Sequence, residues 1–113
     1  MPVTIYHNPR CSKSRQTLEL LREHGVEPKI VEYLDNPPTA LELKDILTKL
    51  SKPAAAIVRP KEAAEDGIDV ANLDNDALIE ALCAHPRAIE RPIVVKGDKA
   101  AIGRPPERVL DIL

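Results

Sequence analysis

Aromatic side chains are nearly missing from this chain of 113 residues, which holds two Tyr, no Phe and no Trp. A surface that stacks nucleic-acid bases needs several aromatic rings, so their scarcity argues against single-strand binding. It also predicts a core that is almost wholly aliphatic. Cysteine is equally scarce: Cys11 and Cys83 lie far apart in sequence and cannot make the disulfide framework of a small secreted domain. No apolar run is long enough to span a bilayer. The start, Met1-Pro2-Val3-Thr4-Ile5, has neither the basic region nor the hydrophobic stretch of a secretory signal. The net charge of -2 supplies no global pull toward nucleic acid or an anionic membrane. These absences predict a cytoplasmic protein with free thiols and neither nucleic-acid nor membrane partners. The length fits a single domain, 1–113.

Against that background one segment carries concentrated charge: His7-Asn8-Pro9-Arg10-Cys11-Ser12-Lys13-Ser14-Arg15. Only a thiolate is a competent nucleophile, and an ordinary cysteine, with a pKa near ~8.5, is mostly protonated at neutral pH. The segment places Cys11 where a strand is predicted to end and a helix to begin. Unpaired backbone N–H groups and the positive end of the helix dipole favour an anion there. Arg15, one turn on, can face the same side, Arg10 and Lys13 add charge, and His7 can donate a hydrogen bond or carry a proton. A buried structural cysteine would seek apolar neighbours, and Cys11 is flanked by Arg10, Ser12, Lys13 and Ser14.

The hydrophobic pattern predicts a strand over 3–7, a helix over 11–23 carrying Leu18 and Leu21 and closed by Gly25, and a second strand over 29–34. A strand, a helix and a strand joined by short loops imply parallel pairing through a right-handed crossover, with His7 and Cys11 at the carboxyl edge where sites form. After Pro37-Pro38, Thr39 and Glu42 make a capping box for a helix containing Leu43, Ile46, Leu47 and Leu50. Short helices joined by turns follow over 51–73. Asp74 or Asn75 then caps a helix with Leu78, Ile79, Leu82 and Cys83 on one stripe, which favours a buried core thiol for Cys83. Residues 93–95 and 100–102 form an antiparallel hairpin with a four-residue connection, 96–99. Pro105 opens a terminal helix with Val109, Leu110 and Leu113. The helical block over 39–86 is an insertion in one compact unit. His24 and His85 fall at helix ends, and Cys83-x-His85 is too small a set for zinc, so no metal site is expected.

Three arginines directly precede proline: Arg59-Pro60, Arg91-Pro92 and Arg104-Pro105. Proline disfavours the helical conformation in the residue before it, so each arginine is expected extended at the edge of an element. A guanidinium's planar fork of donors suits a tetrahedral oxyanion. Spacing alone leaves open whether the three converge or stay solvated.

Taken together, His7-Asn8-Pro9-x-Cys11 with Arg15, Arg91-Pro92-Ile93-Val94-Val95, Gly103-Arg104-Pro105, the closing 109–113 and Tyr33-Leu34 followed by Pro37-Pro38-Thr39 resemble the glutaredoxin-coupled bacterial arsenate reductases. The resemblance spans the whole chain. It implies an α/β, thioredoxin-like fold: a mixed four-stranded sheet with a helical insertion between an N-terminal βαβ and a C-terminal ββα unit. A proline in cis at Arg91-Pro92 goes with that fold. By the same resemblance Cys11 attacks arsenic, His7 tunes it, and Arg59, Arg91 and Arg104 hold the oxyanion and its thiol adduct. Arg15 completes the catalytic set. No bound cofactor is implied; glutathione is a co-substrate, and arsenate and glutaredoxin are partners. Arg10, Ser12 and Lys13 beside the nucleophile, and Pro60-Lys61 after Arg59, resemble a chromosomal branch named arsenate reductase by similarity.

Two other functions fit part of the pattern. A thioredoxin-like redox-sensing or regulatory binding protein would use Cys11 as a sensor, although Cys11-x-x-Ser14 lacks the second cysteine of the related polymerase-binding regulators. A phosphatase-like hydrolase would also pair cysteine with arginine, but its loop spaces them six apart, against four for Cys11 and Arg15.

Overall fold

A computed structural model describes residues 2–113. Its contacts divide the chain into two compact units, Met1–Asn36 with Arg91–Leu113, and Pro37–Glu90. The second begins and ends slightly outside the expected 39–86 insertion.

The first unit is a four-stranded sheet with one long helix. Strand β1 (Val3–His7) leads to α1 (Ser12–Glu23) and then to β2 (Lys29–Glu32). Strands β3 (Ile93–Lys96) and β4 (Lys99–Ile102) follow, and a 3₁₀ helix, Pro106–Ile112, ends the unit. The order across the sheet is β2-β1-β3-β4. Strands β1 and β2 pair in parallel, with His7 opposite Glu32, while β1 and β3, and β3 and β4, are antiparallel. This is the mixed sheet of a thioredoxin-like fold.

Side chains alternate across a strand, so Val3, Ile5 and His7 share the buried face of β1. Val3 and Ile5 join Leu21, Val94 and Val109 in an all-aliphatic core, with Leu18, Val26, Ala101 and Ile112 against it. Each such fully buried side chain contributes roughly 1.5–3 kcal/mol. The helix runs back over the strand that precedes it, and its buried residues are Leu21, Thr17 and Ser14. Leu21 therefore meets Val3 and Ile5, and Ser14 at the other end meets His7. The chain leaves α1 through Gly25 at φ 77, with Val26 N–H donating to Leu21 O and Gly25 N–H to Arg22 O. That is the paired bonding of a Schellman cap, as the glycine predicted.

Three boundaries differ from the sequence reading. Helix α1 starts at Ser12, which leaves Cys11 as its N-cap in extended conformation (φ -92, ψ 124). Strand β2 stops at Glu32, because Asp35 and Asn36 both donate their N–H groups to Glu32 O and turn the chain. In the hairpin Lys96 pairs with Lys99, so the connection is the two residues Gly97-Asp98 rather than four. Gly97 takes φ 61 at the first central position, where a two-residue II′ hairpin places glycine. The peptide bonds Arg91-Pro92 and Arg104-Pro105 are both cis.

The second unit is helical. Helix α2 (Ala40–Leu50) opens with the expected capping box, Thr39 Oγ1 accepting from Glu42 N–H and Glu42 Oε1 accepting from Thr39 N–H. It buries Leu43, Ile46 and Leu47. A 3₁₀ turn (Ala54–Ile57) and α3 (Pro60–Glu65) precede α4 (Asn75–Ala84), which Asp74 caps by accepting from Ala77 N–H and which buries Leu78, Ile79 and Leu82. Cys83, expected inside on that stripe, is half-buried instead. Its position is one residue past Leu82, about 100° around the helix and toward the rim of the stripe. Burial pushes its thiol up, and Glu80 and Glu42 push it further. A bridge between Val58 and Ile89 ties the segment before α3 to the end of the unit: Arg59 N–H donates to Ala88 O and Glu90 N–H to Ile57 O. No helix among the described residues is long and apolar enough to cross a membrane.

Candidate active site

The loop from β1 to α1 is tied by its own polar groups. Asn8 Oδ1 accepts from Arg10 N–H at 3.0 Å, and Cys11 N–H donates to Asn8 O at 3.0 Å. Arg15 Nη1 donates to Pro9 O at 2.9 Å. Ser14, with no exposed surface, lies beneath the loop. Its Oγ accepts from Asn8 N–H at 3.0 Å and sits 2.6 Å from His7 Nδ1. These bonds hold Cys11 at the mouth of the helix.

Cys11 Sγ does not close a conventional N-cap bond. The Ser14 and Lys13 N–H groups nevertheless point toward it and favour the thiolate. Two side chains arrive from the far end of the sequence. Arg91, just before β3, hydrogen-bonds the sulfur and adds its charge. Arg104, just after β4, brings Nη2 to 3.7 Å from Sγ and anchors its Nε on Arg91 O at 2.8 Å. Burial pushes the thiol up; the Ser14 N–H, the Arg91 hydrogen bond, the Lys13 N–H and the Arg91 charge outweigh it, so the thiol lies below the usual cysteine range. The site thus offers a thiol biased toward its thiolate beside two guanidinium groups, a pairing suited to attack on a bound oxyanion.

Gly103 makes this approach possible. Its N–H donates to Pro92 O at 2.9 Å, and a Cβ placed there would lie 2.5 Å from Thr17 Oγ1 and 2.8 Å from Pro92 Cγ. The backbone that carries Arg104 therefore runs directly against α1 and the β3 entry. Thr17, buried and donating to Lys13 O, forms the opposing wall.

His7 and Arg15 occupy other places. His7 is 5% exposed and contacts the cysteine loop through Ser14. Burial lowers its pKa, Glu32 raises it and the Arg15 and Arg22 charges lower it; the net shift is downward and favours the neutral ring. The Arg15 guanidinium is spent on Pro9 O rather than on the sulfur. Arg59 belongs to the second unit, where it is the extended N-cap of α3 (φ -91, ψ 107), as its position before proline predicted. Its Nε reaches Glu62 at 2.8 Å and its Nη1 reaches Glu90 at 3.0 Å. Burial lowers the Arg59 pKa, but the two carboxylates raise it by more and hold the charge.

Of the residues singled out by sequence, the first unit brings together Cys11, Arg91 and Arg104. Sequence reasoning assigned no structural role to Asn8, Ser14 and Gly103, although they stand in its motifs, and did not single out Thr17. The available signal was the spacing of Ser14 and Thr17 with Leu21, a 3.6-period row whose first members are hydroxyls.

Comparison with known proteins places this geometry among relatives. Residues 6–112 match the ArsC family. The arsenate reductase of Neisseria meningitidis serogroup A is 50% identical over 114 residues, covering 98% of this chain and 97% of that protein. The uncharacterized protein YfgD of Escherichia coli is 51% identical, covering 98% of this chain and 96% of its own. Among solved structures, the arsenate reductase from Vibrio cholerae superimposes with a TM-score of 0.94 at 46% identity, over 100% of this chain and 98% of that one. With matches of this extent at both the sequence and structural levels, the chain belongs to the ArsC family.

Proposed function

We propose that this protein is a cytoplasmic arsenate reductase that works through Cys11, with glutathione and glutaredoxin as the electron source. The observation that carries the reading is Arg104 Nη2 at 3.7 Å from Cys11 Sγ, with Arg104 anchored on Arg91 O, and Arg91 favours the thiolate form of the same sulfur. The names of its relatives point the same way. Arsenate enters as an anion and takes the guanidinium donors of Arg91 and Arg104. The Cys11 thiolate attacks pentavalent arsenic, an oxygen leaves as water, and an S–As bond forms with no change in oxidation state. A glutathione thiolate then attacks Cys11 Sγ. The S–As bond breaks with its electron pair left on arsenic, which departs as arsenite, and Cys11 is left in a mixed disulfide with glutathione. Glutaredoxin accepts the glutathionyl group and restores the thiol. One arsenate and two thiols become one arsenite, one disulfide and one water.

Phosphate matches arsenate in charge and shape and would occupy the same donors. Selection comes at the second step, since pentavalent arsenic accepts an electron pair from sulfur and phosphorus does not. His7 and Arg15 act through the loop: His7 through Ser14, Arg15 through Pro9 O. Arg59 is carried over from the family resemblance as a further oxyanion ligand. An Arg59→Ala protein with an unchanged KM for arsenate removes it from the set.

The test is arsenate-dependent NADPH oxidation with glutathione, glutathione reductase and a panel of glutaredoxins. Turnover by the native chain and none by Cys11→Ser is the expected result. Equal activity in the Cys11→Ser protein, or none from the native chain with any glutaredoxin, overturns the proposal.

A further inference from the structure

The segment around the nucleophile carries more positive charge than the sulfur uses. Residues 7–15 contain Arg10, Lys13 and Arg15 and no carboxylate, in a chain whose net charge is -2. Arg15 is engaged by Pro9 O, and the cations at the sulfur are Arg91 and Arg104. Arg10 and Lys13 remain. Both are exposed, and only their backbone groups are engaged, Arg10 N–H by Asn8 Oδ1 and Lys13 O by Thr17 Oγ1. Neither side chain has a hydrogen-bond or ion-pair partner among the described residues.

Their placement also runs against local stability. The first turn of α1 contains no acidic residue. It carries Lys13, although the positive end of a helix dipole favours carboxylates and disfavours cations. A local rule broken without a local compensation marks a residue kept for a site. Arg10 and Lys13 lie one residue before and two residues after Cys11, so the exposed chain on both sides of the nucleophile carries positive charge that no partner among the described residues neutralises.

We propose that Arg10 and Lys13 bind the carboxylates of the low-molecular-weight thiol that attacks Cys11. Glutathione carries two carboxylates, and as the reactive thiolate it is a net anion. Cations beside the target sulfur raise its encounter rate and orient it, an effect that salt screens. The inference rests on the reductase reading, in which an external thiol must reach Cys11. It assigns the selection of that thiol to residues other than those that hold the oxyanion.

The experiment needs no arsenate, so its failure is separate from failure of the reductase reading. In a Cys83→Ser background, Cys11 is converted to its 2-pyridyl disulfide by exchange with 2,2′-dipyridyl disulfide, which releases one equivalent of pyridine-2-thione. A thiolate then attacks Cys11 Sγ, the S–S bond to the pyridyl sulfur breaks, and pyridine-2-thione leaves after taking a proton from water; the exchange has no net oxidation or reduction. Glutathione and its diethyl ester, which keeps the thiol and masks the carboxylates, are compared at low ionic strength. The expected result is that R10Q/K13Q slows glutathione about tenfold, within the range of electrostatic steering. The ester's rate stays within about twofold of the parent, which also reports an intact site. Restoring charge with Arg10→Lys and native Lys13 recovers most of the glutathione rate. A glutathione-to-ester ratio unaffected by R10Q/K13Q, or an equal slowing of both thiols, overturns the proposal.

Discussion

Replacing Ser14 with alanine separates what holds the nucleophile in place from what ionises it. The Ser14 hydroxyl is fully buried, accepts from Asn8 N–H at 3.0 Å and meets His7 Nδ1 at 2.6 Å. In Ser14→Ala both of those buried groups lose their partner. Leaving a buried donor or acceptor unsatisfied costs about 1–3 kcal/mol each. Alanine's better helix propensity returns up to about 0.5 kcal/mol. The expected loss is therefore about 1.5–6 kcal/mol, a large share of the roughly 5–15 kcal/mol that holds a domain folded. At roughly 4 °C per kcal/mol for a chain of this size, the melting temperature falls by about 6–24 °C. The thiol behaves differently. The group of Ser14 that favours the Cys11 thiolate is its backbone N–H, which alanine keeps. Urea and thermal unfolding measure the first effect; the pH dependence of Cys11 alkylation, in a Cys83→Ser background, measures the second. A stability change below about 0.5 kcal/mol would show that the hydroxyl is not the partner on which the buried pair depends. A thiol midpoint that rises as far as in an Arg91→Ala protein would show that the loop, not the arginine, sets the ionisation.

Four further outcomes follow from the same geometry. Arg91→Ala is expected to raise the Cys11 pKa toward the ordinary thiol range, seen as an upward shift of the alkylation midpoint with little loss of stability. Because the folded pKa is the lower one, the native thiol's contribution to stability is fully present above the unfolded thiol pKa and is lost as pH falls through the folded value, so the stability advantage of the native chain over Cys11→Ser should grow with pH up to the unfolded value. His7, also lowered on folding, has the unfolded chain taking up its proton first below 6.5; urea melts should show stability falling as pH drops from there, and His7→Gln should flatten that part of the profile. Gly103→Ala forces a Cβ into Thr17 and Pro92. It should cost about 1–3 kcal/mol in urea melts and slow Cys11 alkylation by moving Arg104; Thr17→Ala, which removes the closest contacts, should restore part of both.

The sequence exposed what is decided by local backbone chemistry. Gly25 ended α1 because a left-handed residue is needed there, and Thr39 with Glu42 started α2 because two exposed N–H groups could be satisfied reciprocally. The parallel pairing of β1 and β2 followed from a short strand-helix-strand unit. What it hid depends on three-dimensional neighbours. Ser14 and Thr17 occupy the buried row of α1 as hydroxyls, so a reading that tracks apolar side chains gave the row to Leu18 and Leu21. Cys83 looked internal because helical spacing resolves a face only to within a residue, and the rim of that face is half-buried. Arg59 was legible as an extended residue before proline, but not as one held by Glu62 and Glu90, because Glu90 reaches it only through the Val58–Ile89 bridge.

The electrostatics of Cys11 illustrate how misleading adjacency in sequence can be. Arg10, Lys13 and Arg15 stand within four positions of the cysteine, and none of their side chains is what lowers it. The cations that reach the sulfur come from residues eighty and ninety-three positions away, brought in where β3 begins and β4 ends. An antiparallel hairpin returns its two ends to the same place, so Arg91 and Arg104 are delivered together, and the Arg104 Nε bond to Arg91 O makes them one unit. That unit can approach α1 only because residue 103 has no side chain. The nucleophile's ionisation is therefore coupled to the packing of a glycine against Thr17 and Pro92, and a methyl group at position 103 should disturb thiol chemistry as surely as loss of an arginine.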